Sequence, residues 1–133
     1  MYARAVRNDA GANGILEFGD GTSAEFVSLR TLSAGRLSLL VRDSGVPTVD
    51  INGSNNVFGV GDDVKVAAAI AADDFIYYVD GSSNGTDNSG TLPTVTTLFI
   101  GSTNISSALN GIIKEIGIWP EDVGDANLQA MTS

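Results

Sequence analysis

The 133-residue chain contains no cysteine and no histidine. The first absence excludes disulfides, zinc–thiolate sites and thiol catalysis. Stability must then come from packing, and a chain this long buries roughly two-thirds of the surface its unfolded form exposes. The second absence removes the commonest general base and the commonest transition-metal ligand. An enzyme built on this chain would have only carboxylates, Lys, Tyr or Ser to work with. Positive charge is scarce too: seven Lys and Arg stand against sixteen Asp and Glu, for a formal net charge of −9. The seven cations are Arg4, Arg7, Arg30, Arg36, Arg42, Lys65 and Lys114. They are scattered along the sequence and form no basic stripe, so neither nucleic acid nor an anionic membrane is an expected partner. No run approaches the roughly 18 apolar residues of a membrane span. The opening "MYARAVRNDAG" has arginines but no apolar h-region, so it does not read as a signal peptide. The acidity reads first as solubility and resistance to self-association.

What the sequence does have is short apolar or alternating runs cut by Gly, Asn, Asp and Ser, the pattern of an all-β protein. Strands are predicted over 2–6, 14–19, 24–30, 36–43, 48–51, 63–71, 75–80, 97–101 and 111–119. The stretch 63–71, "DVKVAAAIA", is alanine-rich, and alanine is the best helix former. Its two leading valines, its short length and the strand that follows it favour a strand. Val64, Val66, Ala68 and Ile70 would then face one way, and Lys65, Ala67, Ala69 and Ala71 the other. The second face is nearly all methyl groups, so another element can approach it closely. Polar residues 81–91 read as the longest loop. A helix is predicted over 125–131, "DANLQAM", with Gly124 as its N-cap. Nine short strands cannot close as one flat sheet, so the expectation is a single domain over 1–133, with two antiparallel sheets packed as a jelly-roll sandwich and a short C-terminal helix.

The run "VKVAAAIAADDFIYYVDG…TDNSGTLPTVTTLFIGS…LNGIIKEIGIWPEDVGDANLQAMT" resembles the second half of concanavalin A-like lectin/glucanase domains of the laminin-G type. The likeness is strongest to such domains at the C-termini of bacteriophage tail-fibre and other virion proteins. It covers roughly residues 63–132 and is looser before them. Asp80 stands where Asn is common, Gly124 where a Ser cap is common, and Trp119 where Tyr is usual. The resemblance implies a non-catalytic virion or extracellular module. Its partners would be a host or environmental glycan, such as a cell-surface polysaccharide, and other virion proteins. The alternative is a purely structural virion module, a capsid decoration or fibre-tip domain that assembles as a homo-oligomer such as a trimer.

Specific chemistry is sparse. The glucanase relatives carry Glu-x-Asp-x-Glu on one strand, which divides nucleophile and acid roles between neighbours. Here Glu115 stands alone in "KEIGIW", so no catalytic residue is expected. Asp62, Asp63, Asp80, Asp87 and Asn88 are the residues that would supply calcium ligands, but no loop has EF-hand spacing. "FGVGDD" (58–63) reads as a turn, and Asn-x-Ser/Thr at 52, 84 and 104 reads as loop composition. Carbohydrate binding needs an aromatic plane and polar groups to read hydroxyls. The candidates are Tyr78, Asp80, Asn104 and Trp119. Asp80-Gly81 also has the chemistry of a hairpin turn, and Trp119, at a strand end, also suits packing.

Overall fold

Alternation along the strands decides what faces inward. In β3 (Phe26–Thr31), Val27 and Leu29 point one way and Phe26, Ser28 and Arg30 the other. In the antiparallel partner β4 (Leu37–Asp43), Leu37, Leu39 and Val41 lie opposite Thr31, Leu29 and Val27. The apolar set of each strand therefore shares one face, as a period of two requires. In this computed structural model, which describes residues 1–104 and 107–133, that rule builds two five-stranded antiparallel sheets. The remaining strands are β1 (Tyr2–Arg7), β2 (Gly14–Gly19), β5 (Val46–Asn52), β6 (Asp63–Ala71), β7 (Asp74–Val79), β8 (Ser82–Asp87), β9 (Thr97–Ile100) and β10 (Gly111–Gly117). The first sheet runs β10-β1-β6-β7-β8 and the second β5-β4-β3-β2-β9. Between them lies one continuous core that includes Ile15, Leu29, Leu39, Val66, Phe75 and Tyr77.

The expected all-β sandwich with a C-terminal helix is what forms. Residues 63–71 are the strand β6, and the helix α1 (Asp125–Thr132) begins at the Gly124 N-cap. The methyl-lined face of β6 is where α1 docks. Leu128 packs on Ala67, Ile76 and Tyr2, with Tyr78, Val123 and Met131 around them. Leucine burial of this completeness is worth about 1.5–3 kcal/mol, and the alanines of β6 leave room for it.

One expectation fails. Residues 81–91 are not simply a loop, because β8 occupies Ser82–Asp87 and pairs along β7. It has no apolar side chain to signal a strand. Its ladder starts from a two-residue turn in which Asp80 (φ 45°) and Gly81 (φ 77°) are both left-handed, the geometry of a type I′ hairpin. Gly85 lies so close to β5 that a Cβ there would sit 2.3 Å from Ile51 Cγ2. The last strand also stops at Gly117, short of Trp119. The Asn-x-Ser sequence at 104 and the middle of the 102–109 loop fall on Ile105 and Ser106, outside the described residues. Among the described residues no helix is long and apolar enough to cross a membrane.

The edge strand β10 is tied down by charge. Asp63 accepts from Arg4 Nη2 at 2.7 Å and from Lys114 Nζ at 2.8 Å, and Arg4 also reaches Glu115 at 3.5 Å. The bonds from Arg4, then those from Lys114, hold the Asp63 carboxyl well below the usual carboxylate range. A carboxylate depressed in the folded state adds stability above its unfolded pKa and loses that contribution as pH falls through the folded value. Asp63→Asn is therefore expected to flatten the acid limb of the stability curve below the ordinary Asp range. The effect should be modest, because the group is solvent-screened. Denaturant melts of both proteins across acid pH check it; parallel curves would show that the cluster does not contribute.

Candidate functional site

The two outer faces of the sandwich differ. That of the first sheet is covered by α1, which packs on β6, β7 and β8. Among the described residues, no helix lies on that of the second sheet. By register it carries three rows: Asn52, Ser38 and Arg30; Asp50, Leu40, Ser28, Glu17 and Phe99; Pro47, Arg42, Phe26 and Gly19. Arg36 precedes β4 in an extended conformation (φ −83°, ψ 151°) and shares the parity of Ser38. Arg30 stands opposite Ser38, so Arg30 and Arg36 are diagonal neighbours, at roughly 7–8 Å between Cα atoms for such a pair.

Three of the seven cations of an acidic chain thus gather on one face. Among the described residues, none of the three makes an ion pair. Arg42 is partly engaged: its guanidinium lies 5.8 Å from the Phe26 ring centroid, and its Nη1 reaches the Ser23 carbonyl at 3.4 Å. Arg30 and Arg36 have no such engagement among the described residues. Their Nε atoms, that of Arg42, and the hydroxyls of Ser28 and Ser38 are shielded from solvent with no hydrogen-bond partner among the described residues. Leaving a buried donor unsatisfied costs about 1–3 kcal/mol. The arrangement suits a planar anion, which would accept from both forks.

Asn104 borders this face. Its backbone N–H donates to the buried Glu17 carboxylate at 2.7 Å, and its side-chain amide donates to the Thr22 carbonyl. Gly14 makes this possible, because a Cβ there would lie 2.4 Å from the Ser102 carbonyl carbon. The role of Asn104 in the structure is to pin its loop across β2.

The other sequence candidates lie elsewhere. Tyr78 is half-buried under α1. Asp80 is exposed at the hairpin, where its carboxylate accepts the Lys65 backbone N–H at 2.9 Å. It borders a polar hollow of about 510 Å³ with Asp62, Asp63, Ser82 and Asn84. Trp119 is 41% exposed; its ring lies against Gly117 and lines a shallow hollow with Val123 and the helix residues Asn127 and Met131. The four candidates therefore do not converge. Among the described residues, no group of three His, Cys, Asp or Glu side chains is close enough to hold a metal ion; of the five calcium candidates, Asp62, Asp63 and Asp80 line the same hollow.

Solved structures match the chain over nearly its whole length. The carbohydrate-binding module CBM40 of the Ruminococcus gnavus IT-sialidase, bound to α2,3 sialyllactose, superposes with a TM-score of 0.86 at 14% identity. The match covers 98% of this chain and 80% of that one. The same module has also been solved with α2,6 sialyllactose (TM-score 0.85, 14% identity, 99% and 81% covered). The leech intramolecular trans-sialidase, complexed with 2,7-anhydro-Neu5Ac, gives a TM-score of 0.83 at 14% identity. There 98% of this chain covers 22% of that one. No family model and no curated protein matches the sequence. At these identities the likeness shows the fold: a β-sandwich of the kind these modules share.

Proposed function

We propose that the chain is a non-catalytic carbohydrate-binding module whose second-sheet outer face takes an acidic glycan at its arginines. A sialylated sugar is the first ligand to try. The observation that carries this reading is the adjacent Arg30 and Arg36, without an ion pair among the described residues, in a chain of net charge −9. A sugar carboxylate matches a guanidinium fork in geometry and charge. The distant acids weigh little against such contacts, because charges more than about 8 Å apart are largely screened at physiological salt. Asp50 and Asn52, exposed on β5, add polar groups on the same face for further sugar hydroxyls. The solved modules that hold sialyllactose support the choice of ligand.

Residues 1–133 would act as one domain. The resemblance of residues 63–132 to tail-fibre domains adds a virion or extracellular setting to the proposal, with the glycan on a host or environmental surface. An NMR titration with 3′-sialyllactose and with lactose tests the binding claim. The sialylated sugar is expected to shift amide resonances of β3, β4 and the Arg36 segment, and lactose to leave them unmoved. Equal responses to both sugars, or shifts confined to the helix side, would overturn it.

A further inference from the structure

We propose that the flank formed by β9 and β10 is the contact surface for a second copy of this chain. The two flanks of the sandwich are finished differently. On the β5–β8 side the sheets close together: Asn84 accepts from the Ser54 backbone at 3.1 Å, and Gly85 abuts Ile51. The β9–β10 side stays open. Ile100 pairs with Leu16 and Ile116 with Ala3, both core residues, so both isoleucines have the inward parity. Yet they are 52% and 41% exposed. Ile118 (47%), Trp119 (41%), Leu92 (46%) and Val95 (37%) extend the same apolar strip. Four of these line a cleft of about 410 Å³ that reaches Phe18. Six large side chains this exposed amount to an apolar patch on the order of 400–600 Å², the upper end of what a monomer carries. Two such patches face to face would bury about 800–1,200 Å² in total, the size of a weak, reversible contact.

Charge selects the occupant. Two chains of net charge −9 repel, so self-contact is tolerable only where local charge cancels. That condition holds at β10, where Arg4 and Lys114 balance Asp63 and Glu115. A basic partner would gain more from the acidic remainder of the surface. Lysine on an edge strand usually blocks association, but here Lys114 Nζ is drawn inward over Asp63 of β6. The bulge in β10 against Arg4 and Ala5 interrupts the strand edge, so the contact is one of side chains and not a continued sheet. Glu121 and Asp122 line the cleft and leave some repulsion across the interface. Added salt should therefore tighten it.

Sedimentation velocity of the wild type from micromolar to millimolar concentration is expected to show a monomer–dimer equilibrium that shifts toward dimer as sodium chloride is raised. Ile116→Glu should sediment as a monomer throughout, with its circular dichroism unchanged. A second measurement does not depend on that variant folding. The chain has no cysteine of its own, so Ile118→Cys should cross-link to a covalent dimer on mild oxidation. Val46→Cys, more exposed but on β5, should not. A wild type that stays monomeric at every concentration would overturn the proposal. So would a trimer, or equal cross-linking at the two positions.

Discussion

The double variant Arg30→Ala/Arg36→Ala is expected to lose all measurable affinity for sialyllactose while melting at or slightly above the wild-type temperature. A hydrogen bond to a charged group contributes about 1.5–3 kcal/mol, and about 1.4 kcal/mol is tenfold in affinity. Each arginine should therefore be worth roughly ten- to a hundredfold. Their effects should not simply add, because neighbouring groups on one ligand couple. The single variants are accordingly expected to look nearly as damaged as the double. Arg30→Lys keeps the charge but loses the planar fork, so it should fall between wild type and alanine. Stability should move the other way: the substitutions remove two shielded Nε donors that have no partner among the described residues. Calorimetric titration and thermal melts on the same samples separate the two effects. Unchanged affinity in the double variant would end the case for this face. Lost affinity together with a collapsed melt would show that the arginines serve the fold.

This face was partly legible in the sequence, and its central feature was read the wrong way. Seven cations spread over 133 residues suggested no basic surface. Spread along the chain is not spread in space, however, once strands pair. In "RLSLLVRD" the period of two already places Arg36, Ser38 and Arg42 on the side opposite Leu37, Leu39 and Val41. The same rule in "FVSLR" sets Ser28 and Arg30 apart from Val27 and Leu29. What the sequence could not supply was the β3–β4 register, which brings Arg30 beside Ser38. The search for aromatic planes drew attention instead to Tyr78 and Trp119. Both lie on the helix side, where amphipathic rings finish the packing of α1.

The fold was more legible than the site, because its signal is local. Alternating apolar residues gave nine of the ten strands, and the methyl face of β6 foretold an element lying over it. The missed strand, β8, shows the limit of that signal. "SSNGTD" buries no apolar side chain of its own. Its backbone ladder to β7, the Asp80-Gly81 turn and the bonds made by Asn84 hold it in place. Residues without hydrophobic periodicity become a strand when a neighbour supplies the template.

Tyr77→Ala is expected to be the most destabilising single substitution considered, at about 3–5 kcal/mol for loss of a fully buried aromatic ring. The whole domain has about 5–15 kcal/mol to lose. Tyr77 is inaccessible to solvent at the centre of the core. Its hydroxyl donates to the Leu37 carbonyl of the opposite sheet at 3.0 Å and accepts from Asn84 Nδ2 of β8 at 3.1 Å. One side chain therefore ties β7 to β4 and to the otherwise signal-poor β8. Tyr77→Phe keeps the ring and removes both bonds, which should cost about 1–2 kcal/mol, since Asn84 is only half-buried and can turn to water. If Phe proves nearly as costly as Ala, the bonds and not the ring volume hold this region together.

Alkaline pH offers an independent check on the same hydroxyl. Burial pushes its pKa up to about 12 from an ordinary value of 10.0. The neutral form is favoured in the folded state, so the stability it contributes is complete below the unfolded value. It is then lost as pH rises from there through the folded one. Tyr2 is raised as well, by burial and by its bond to Glu115. For that reason the informative quantity is the difference between wild type and Tyr77→Phe. Denaturant melts should show the two proteins converging in stability as pH climbs above the ordinary tyrosine range. A constant gap would mean that the Tyr77 hydroxyl ionises as freely in the folded chain as in the unfolded one, which its position between the sheets does not allow.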